Sequence, residues 1–307
     1  MDREIWTTLR MSVKRVCRTF KTTGRKPTFS NCQIALMYLW SAWQGGCLGW
    51  ACDKVHYSDL FRPRILPSSS QFRRRVKEEE FQRLLQAIHV DVVGSGLSSP
   101  LKFLDGKPLL VSPVSKDRDA TNGHITGGFG KGYKLHAMVN ENRRIVIWSV
   151  MSLNVAEQSV AMELAMYLER TPLGLILADS NYDSAPLHKA LDASDHRLLT
   201  PLRGQHRVKE GVHHPVTLRQ MGPLRRDALE VWKEHSDLAE YVLNTRNNIE
   251  GVFSVMTMAL NAGSPPPWVR TLARVRRWAG AMIILYNVRL DVQEKLAKMK
   301  VEQPHMN

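Results

Sequence analysis

The sequence predicts a mixed α/β domain preceded by a helical region, and three observations carry that expectation. Apolar residues recur at helical spacing through the first third of the chain. Between residues 101 and 201, short alternating or wholly apolar runs bounded by turn residues take over. A turn-rich stretch, Val93-Gly-Ser-Gly-Leu-Ser-Ser-Pro100, separates the two textures.

The elements follow in order. Ser30 is placed to cap a helix over Asn31–Gln44, whose apolar side chains include Ile34, Leu36, Met37, Leu39, Trp40 and Trp43; Gly45, Gly46 and Gly49 end it. The run Pro67-Ser-Ser-Ser-Gln-Phe-Arg-Arg-Arg opens a second helix, which continues through Phe81, Leu84, Leu85 and Ile88. Leu101–Leu104 reads as a strand ending in a turn at Asp105-Gly106, with Pro108–Val111 beyond it. Tyr133–Val139 alternates, and Ile145–Met151 pairs with it across the Asn140–Arg144 turn. Ala156–Arg170 is an amphipathic helix, and Leu173–Ala178 is apolar throughout, as a buried parallel strand is. A helix around Ala185–Ala193 and a fifth strand at Arg197–Pro201 follow. From Arg225 the chain reads as helical again, over Ala239–Leu260 and Val269–Lys298, with Pro265-Pro-Pro267 between them.

Hairpin-connected strands followed by crossover-connected ones imply a mixed five-stranded sheet, antiparallel on one side and parallel on the other, flanked by helices. That is the strand order expected of a ribonuclease-H-like domain. The expected division is a helical region over residues 1–97 and a mixed-sheet domain over residues 98–307 that includes the C-terminal helices.

Charge narrows the function. The 307 residues carry 43 Lys and Arg against 29 Asp and Glu, a formal +14 with a pI near 9.8. The first hundred residues alone hold +8. A basic arm followed by a more balanced remainder points to a polyanionic partner. The longest apolar stretch, Ala279–Tyr286, is far too short to cross a bilayer, and the opening Met-Asp-Arg-Glu-Ile-Trp has no apolar signal core. No membrane partner and no secretion are therefore expected. All four cysteines lie in the first 52 residues with no C-x-x-C pair. Cys47, Cys52 and His56 match no familiar zinc spacing, so reduced thiols packed as small hydrophobes are expected.

Three carboxylates stand where such a fold converges its strand ends. Asp105 follows the first strand, Asp179 ends the buried run Leu175-Ile-Leu-Ala, and Glu250 lies on a late helix in Arg246-Asn-Asn-Ile-Glu250. If the first and fourth strands are neighbours, Asp105 and Asp179 lie side by side, and two such charges favour a cation between them. Hard carboxylate oxygens without Cys or paired His select Mg²⁺, with Mn²⁺ as a substitute. Two such ions roughly 3.5–4 Å apart suit phosphodiester chemistry.

The segments Asp117-Arg-Asp-Ala120, Lys131-Gly-Tyr-Lys-Leu-His136, Ala178-Asp-Ser-Asn-Tyr-Asp-Ser184 and Arg246-Asn-Asn-Ile-Glu250, taken together and in order, resemble bacterial insertion-sequence transposases of the DDE class. The likeness covers roughly residues 98–290 and is greatest to the transposase DDE domain group of the fourth and fifth insertion-sequence families. It implies that Asp105, Asp179 and Glu250 are the catalytic, metal-binding triad. It further implies cleavage of double-stranded DNA at the element's terminal inverted repeats, then attack of the freed 3′-hydroxyl on target DNA. A homodimer on DNA, in the bacterial cytoplasm and associated with the nucleoid, goes with that reading.

Relatives carry a Tyr–Arg–Glu–Lys signature on the glutamate helix. Here Arg246 and Glu250 match it, whereas Leu243 and Thr257 occupy the tyrosine and lysine positions. Those departures motivate a second reading, a decayed or domesticated copy that binds DNA without cutting it. DNA contacts are expected from Arg73, Arg74 and Arg75 at a helix start, from Lys134 and His136 on one strand face, and from Arg246. Arg246 has a competing role as an ion-pair partner of Glu240 or Glu250. Asp183 is expected to cap the next helix and Tyr182 to pack. The cluster Arg274, Arg276, Arg277 and Trp278 fits either DNA tracking or a helical interface.

Overall fold

The computed structural model describes residues 1–21, 27–169, 174–201 and 223–302. It divides into two units, one comprising Met1–Gly94 with Met256–Asn307 and the other Ser95–Val255. The helical unit opens with α1 (Asp2–Thr19), an element the sequence reading did not single out; it buries Ile5, Trp6, Leu9, Val13 and Val16 along one face. Helix α2 (Asn31–Trp43) starts as expected, with the Ser30 hydroxyl accepting from the Gln33 N–H at 3.2 Å. Its buried residues run without a break from Ile34 to Ala42, the mark of a helix surrounded on all sides.

Helix α3 (Ser69–Lys77) opens on a capping box between Ser68 and Gln71. The single helix expected here is broken. Glu78 adopts an extended conformation (φ −61°, ψ 143°), takes the Arg75 guanidinium at 3.0 Å, and α4 (Glu79–Val93) begins after it. Glu79 and Glu80 then fall in the first turn of a new helix, where its dipole favours anions.

The second unit is built on one six-stranded sheet. Its strands are β1 (Leu101–Leu110), β2 (Thr121–Ile125), β3 (Gly128–Asn140), β4 (Ile145–Ser152), β5 (Gly174–Ala178) and β6 (His196–Leu199). The order is β2–β3–β1–β5–β6, with β4 also paired to β3. Strands β2 and β4 share one edge of β3, β2 against Gly128–Gly132 and β4 against Tyr133–Val139. Strand β1 is antiparallel to β3 and parallel to β5, and β5 is parallel to β6. This is the ribonuclease-H-like sheet, with one more strand than the sequence announced. The extra hairpin, β2 with the start of β3, is rich in Gly and lacks an apolar alternation to betray it.

Another expectation fails instructively. Asp105-Gly106 is not a turn; β1 runs straight through it. Ladder bonds to β3 hold the backbone extended on one side all the way to Leu110, while pairing with β5 stops at Leu104 and Ala178. Strand β3 is buried on both faces from Tyr133 to Asn140 except at Lys134, so it is a central strand rather than a half-solvated one.

Helices α5 (Glu157–Ala165) and α6 (Ala185–Asp192) pack on the sheet, and α7 (Pro223–Glu234), α8 (Ser236–Asn244) and α9 (Asn247–Leu260) follow. Arg170 and Leu173, the expected end of one helix and start of the next strand, lie outside the described residues. Ser184, not Asp183, caps α6. Asp183 instead takes both arms of the Arg225 guanidinium, the Nε at 2.7 Å, with His188 Nε2 at 3.6 Å. The Asp183 side chain is 1% exposed. Arg225→Ala would strand a buried carboxylate, so a loss of about 3–5 kcal/mol is expected in urea unfolding. A change below 1 kcal/mol would contradict the ion pair.

Helix α10 (Leu272–Glu302) completes the helical unit. Its apolar run Ala279–Tyr286 is buried, and the helix packs against α4, α1 and α2. The unit boundary falls at Gly94/Ser95, inside the turn-rich stretch. The last helix, however, joins the N-terminal helices rather than the sheet. An apolar face needs a partner, and α1, α2 and α4 supply one. The four cysteines are half-buried and form no disulfide, and His56 stacks on Trp50 at 4.3 Å. Among the described residues no helix is long and apolar enough to cross a membrane.

Candidate active site

Sheet register places the first two carboxylates. Leu104 pairs with Ala178, so Asp105 and Asp179 are the next residues on two adjacent parallel strands. The Asp179 carboxylate is oriented locally: Oδ1 accepts from the Asn181 backbone N–H at 2.9 Å and Oδ2 from its side-chain amide at 3.3 Å. Asp105 Oδ1 accepts from the Gly106 N–H at 2.7 Å.

The third carboxylate arrives on α9. Ile249, Val252 and Phe253 bury one face of that helix. Lys107 of β1 lies over the Phe253 ring at 5.9 Å, and Arg143 Nη2 donates to Asn248 at 3.5 Å. Glu250 occupies the first turn, its side chain 64% exposed. The expected long helix over 239–260 is interrupted at Thr245 and Arg246, which form a turn between α8 and α9. From that turn Arg246 reaches both acids, with Nη1 3.5 Å from Asp105 Oδ2 and Nη2 3.9 Å from Glu250 Oε1. Arg246 thus links the sheet carboxylate to the helix carboxylate, the ion-pair alternative with Asp105 added to it.

Burial pushes the Asp105 carboxyl up to about 6. The Gly106 N–H and Arg246 pull it down, and the Asp179 and Glu157 carboxylates push it up. Glu157 was not foreseen. It stands in the first turn of α5 and takes Lys134 Nζ at 2.5 Å. Nothing in its spacing marks it; the only sequence signal is a carboxylate opening the helix that follows a strand.

Lys134 and His136 do not form a solvated face. Lys134 is held by Glu157, and His136 is fully buried. Burial, then the neighbouring Lys134 charge, lower the His136 imidazole to about 3, so it is neutral at ordinary pH. Its Nδ1 lies 3.4 Å from the Tyr182 hydroxyl. Tyr182 is buried, and its phenol is raised well above its usual value by burial and by Glu157, Asp105 and Asp179. A Cβ on Gly106 would lie 2.9 Å from Lys134 Cδ and 3.2 Å from the Tyr182 hydroxyl, so a side chain there would intrude on this packing. Asp117 explains another of the motif segments: it accepts from the Tyr133 hydroxyl at 2.7 Å and pins β3.

The arginines of α3 divide. Arg73 and Arg74 are exposed. Arg75 is committed to the interior of the helical unit, bonding Glu78, the Phe29 carbonyl and Asn31. Those bonds give it a structural role that the sequence did not announce.

Among the described residues no three His, Cys, Asp or Glu side chains cluster closely enough to form a metal centre. The donor chemistry nevertheless fits a hard divalent cation. A half-buried Asp105 feels two further carboxylates, and a divalent ion bound by oxygen relieves that repulsion.

A family model described as "Transposase DDE domain" matches residues 98–288, well over half of the chain. No curated protein matches the chain in sequence. Among solved structures, the chain is similar to one titled "Cryo-EM structure of piggyBac transposase synaptic complex with hairpin DNA", with a TM-score of 0.47 and 10% identity over 97% of this chain and 74% of that one.

Proposed function

The chain belongs to the transposase DDE-domain family, and from that premise we propose that it cleaves the ends of an insertion sequence and transfers the freed 3′-hydroxyls to target DNA. The observation that carries this is the adjacency of Asp105 and Asp179 at the point where β5 leaves β1, with Glu250 linked to Asp105 through Arg246. Asp105, Asp179 and Glu250 are the residues that would hold Mg²⁺, or Mn²⁺ in its place. A divalent ion held by these carboxylates would supply Lewis-acid chemistry to the attacking and leaving oxygens.

The chain's own residues do the rest. Asn181 fixes the Asp179 carboxylate, and the Gly106 N–H fixes one oxygen of Asp105. Arg246 supplies a charge-assisted donor for a phosphate near the scissile bond. His136, neutral and enclosed, holds the Tyr182 hydroxyl rather than moving a proton. The basic helical unit, with Arg73 and Arg74 exposed, grips the terminal repeat. Two copies of the chain hold the two ends, in the cytoplasm of a bacterium.

The test is incubation with terminal-repeat duplex and target plasmid in Mg²⁺. The proposal expects 3′ nicks and products joined to the plasmid. Nicks without joined products would identify a nuclease instead.

A second reading rests on Leu243 and Thr257, which depart from the family signature. Thr257 lies on α9 where its Cγ2 is 2.8 Å from the place a Gly263 Cβ would occupy, so it packs against the following turn. A non-cutting DNA-binding copy would bind the repeats in EDTA and nick in no divalent metal.

A further inference from the structure

The helical unit contains a cavity of about 350 Å³, within the range of about 300–1,000 Å³ typical of small-molecule sites. Four cations line it, Arg73 and Lys77 from α3 and Arg274 and Arg277 from α10, and no Asp or Glu among the described residues does. Its aromatic walls are Tyr38, Trp268 and Trp278.

Arg277 is the informative member. It is 8% exposed. The titratable groups beside it are the neutral Tyr38 phenol and the like-charged Arg274, with no carboxylate among them. A buried guanidinium is ordinarily paired. Here it lines an open cavity beside three further cations, so the counter-charge is expected from a ligand. Trp268, still 47% exposed, and buried Trp278 offer π-faces at the same place. The sequence left the Arg274–Trp278 cluster divided between two roles, and the structure splits it. Arg274, Arg277 and buried Trp278 line the cavity with α3, and Arg276 does not.

We propose that this cavity binds a nucleoside phosphate, the phosphate against Arg277 and its neighbouring cations and the base against the indoles. Arginine suits phosphate through two parallel charge-assisted donors, and an indole suits any base. The source of that chemistry is either a free nucleotide or one nucleotide of a DNA strand. The site lies wholly within the helical unit and does not depend on the carboxylate chemistry.

Isothermal titration of the full chain in metal-free buffer tests it, using dAMP, deoxyadenosine, inorganic phosphate and a single-stranded oligonucleotide. The expected result is saturable dAMP binding, with deoxyadenosine and phosphate each at least about tenfold weaker. Arg277→Gln is expected to weaken dAMP by about tenfold or more. Should that buried change prevent folding, Arg274→Gln and Trp268→Ala at exposed positions carry the test. An oligonucleotide displaced by dAMP identifies a strand nucleotide as the occupant. Saturable dAMP binding that the oligonucleotide does not share identifies a free nucleotide. Absence of saturable dAMP binding, equal affinity for phosphate alone, or binding unchanged in both exposed variants would overturn the proposal. Asp179→Asn is expected to leave dAMP affinity at the wild-type value, so failure of the catalytic reading would be seen separately.

Discussion

Asp179→Asn is expected to lower cleavage of a terminal-repeat duplex by about 10³-fold while leaving duplex binding in EDTA unchanged. The size follows from the role. A metal that neutralises developing charge contributes several kcal/mol to the transition state, and each 1.36 kcal/mol is about tenfold in rate. The amide keeps the shape of the side chain, and its oxygen still accepts from the Asn181 N–H, so the fold is preserved. Glu250→Gln is expected to behave alike in cleavage. Its side chain is exposed on the first turn of α9, where loss of charge disturbs little packing. Full activity in either variant would remove that residue from the site.

Asp105→Asn is expected to stabilise the metal-free protein, with a pH signature. In the folded chain the Asp105 carboxyl is raised from 3.8 to about 6, chiefly by burial. Below about 3 it is protonated whether folded or unfolded, and the variant gains nothing. Between about 4 and 6 the folded state keeps a proton that the unfolded state releases, so wild-type stability falls relative to the variant as pH rises. Above about 6 the difference is complete, on the order of 2–3 kcal/mol. Thermal melts at pH 2.5 and pH 8 measure it: equal midpoints at the first, and a variant several degrees higher at the second. Added Mg²⁺ is expected to close the gap by stabilising wild type alone. A variant that melts lower than wild type at pH 8 without metal would refute the cost of burying a charged Asp105.

Both expectations depend on how far the sequence could be followed. The buried run Leu175–Ala178 followed by Asp179 was readable because a wholly apolar strand has one place to go, and its acid must emerge at the end. Ser30 was readable as a cap, since the hydroxyl-to-amide bond is local. Long-range facts were not. The break at Glu78 depends on Arg75, which is held in turn by Asn31 and Phe29 far away in sequence. The burial of His136 depends on β3 lying in the middle of the sheet, whereas alternation alone suggested one open face. Glu157 enters the site through α5, and no local pattern tells which strand ends lie beneath a helix start. The grouping of α10 with the N-terminal helices follows from matching apolar faces, which spacing within a single helix does not reveal.

Sulfur substitution at the scissile phosphate tests most directly whether Asp105, Asp179 and Glu250 present a divalent metal to DNA. A terminal-repeat duplex with one non-bridging oxygen replaced by sulfur is compared in Mg²⁺ and in Mn²⁺ under single-turnover conditions. Sulfur is a poor ligand for hard Mg²⁺ and a better one for Mn²⁺. The metal site proposed here predicts cleavage suppressed in Mg²⁺ for one stereoisomer and restored by Mn²⁺. Cleavage of both stereoisomers in Mg²⁺ at the rate of the unmodified duplex, or cleavage that persists in EDTA, would contradict it.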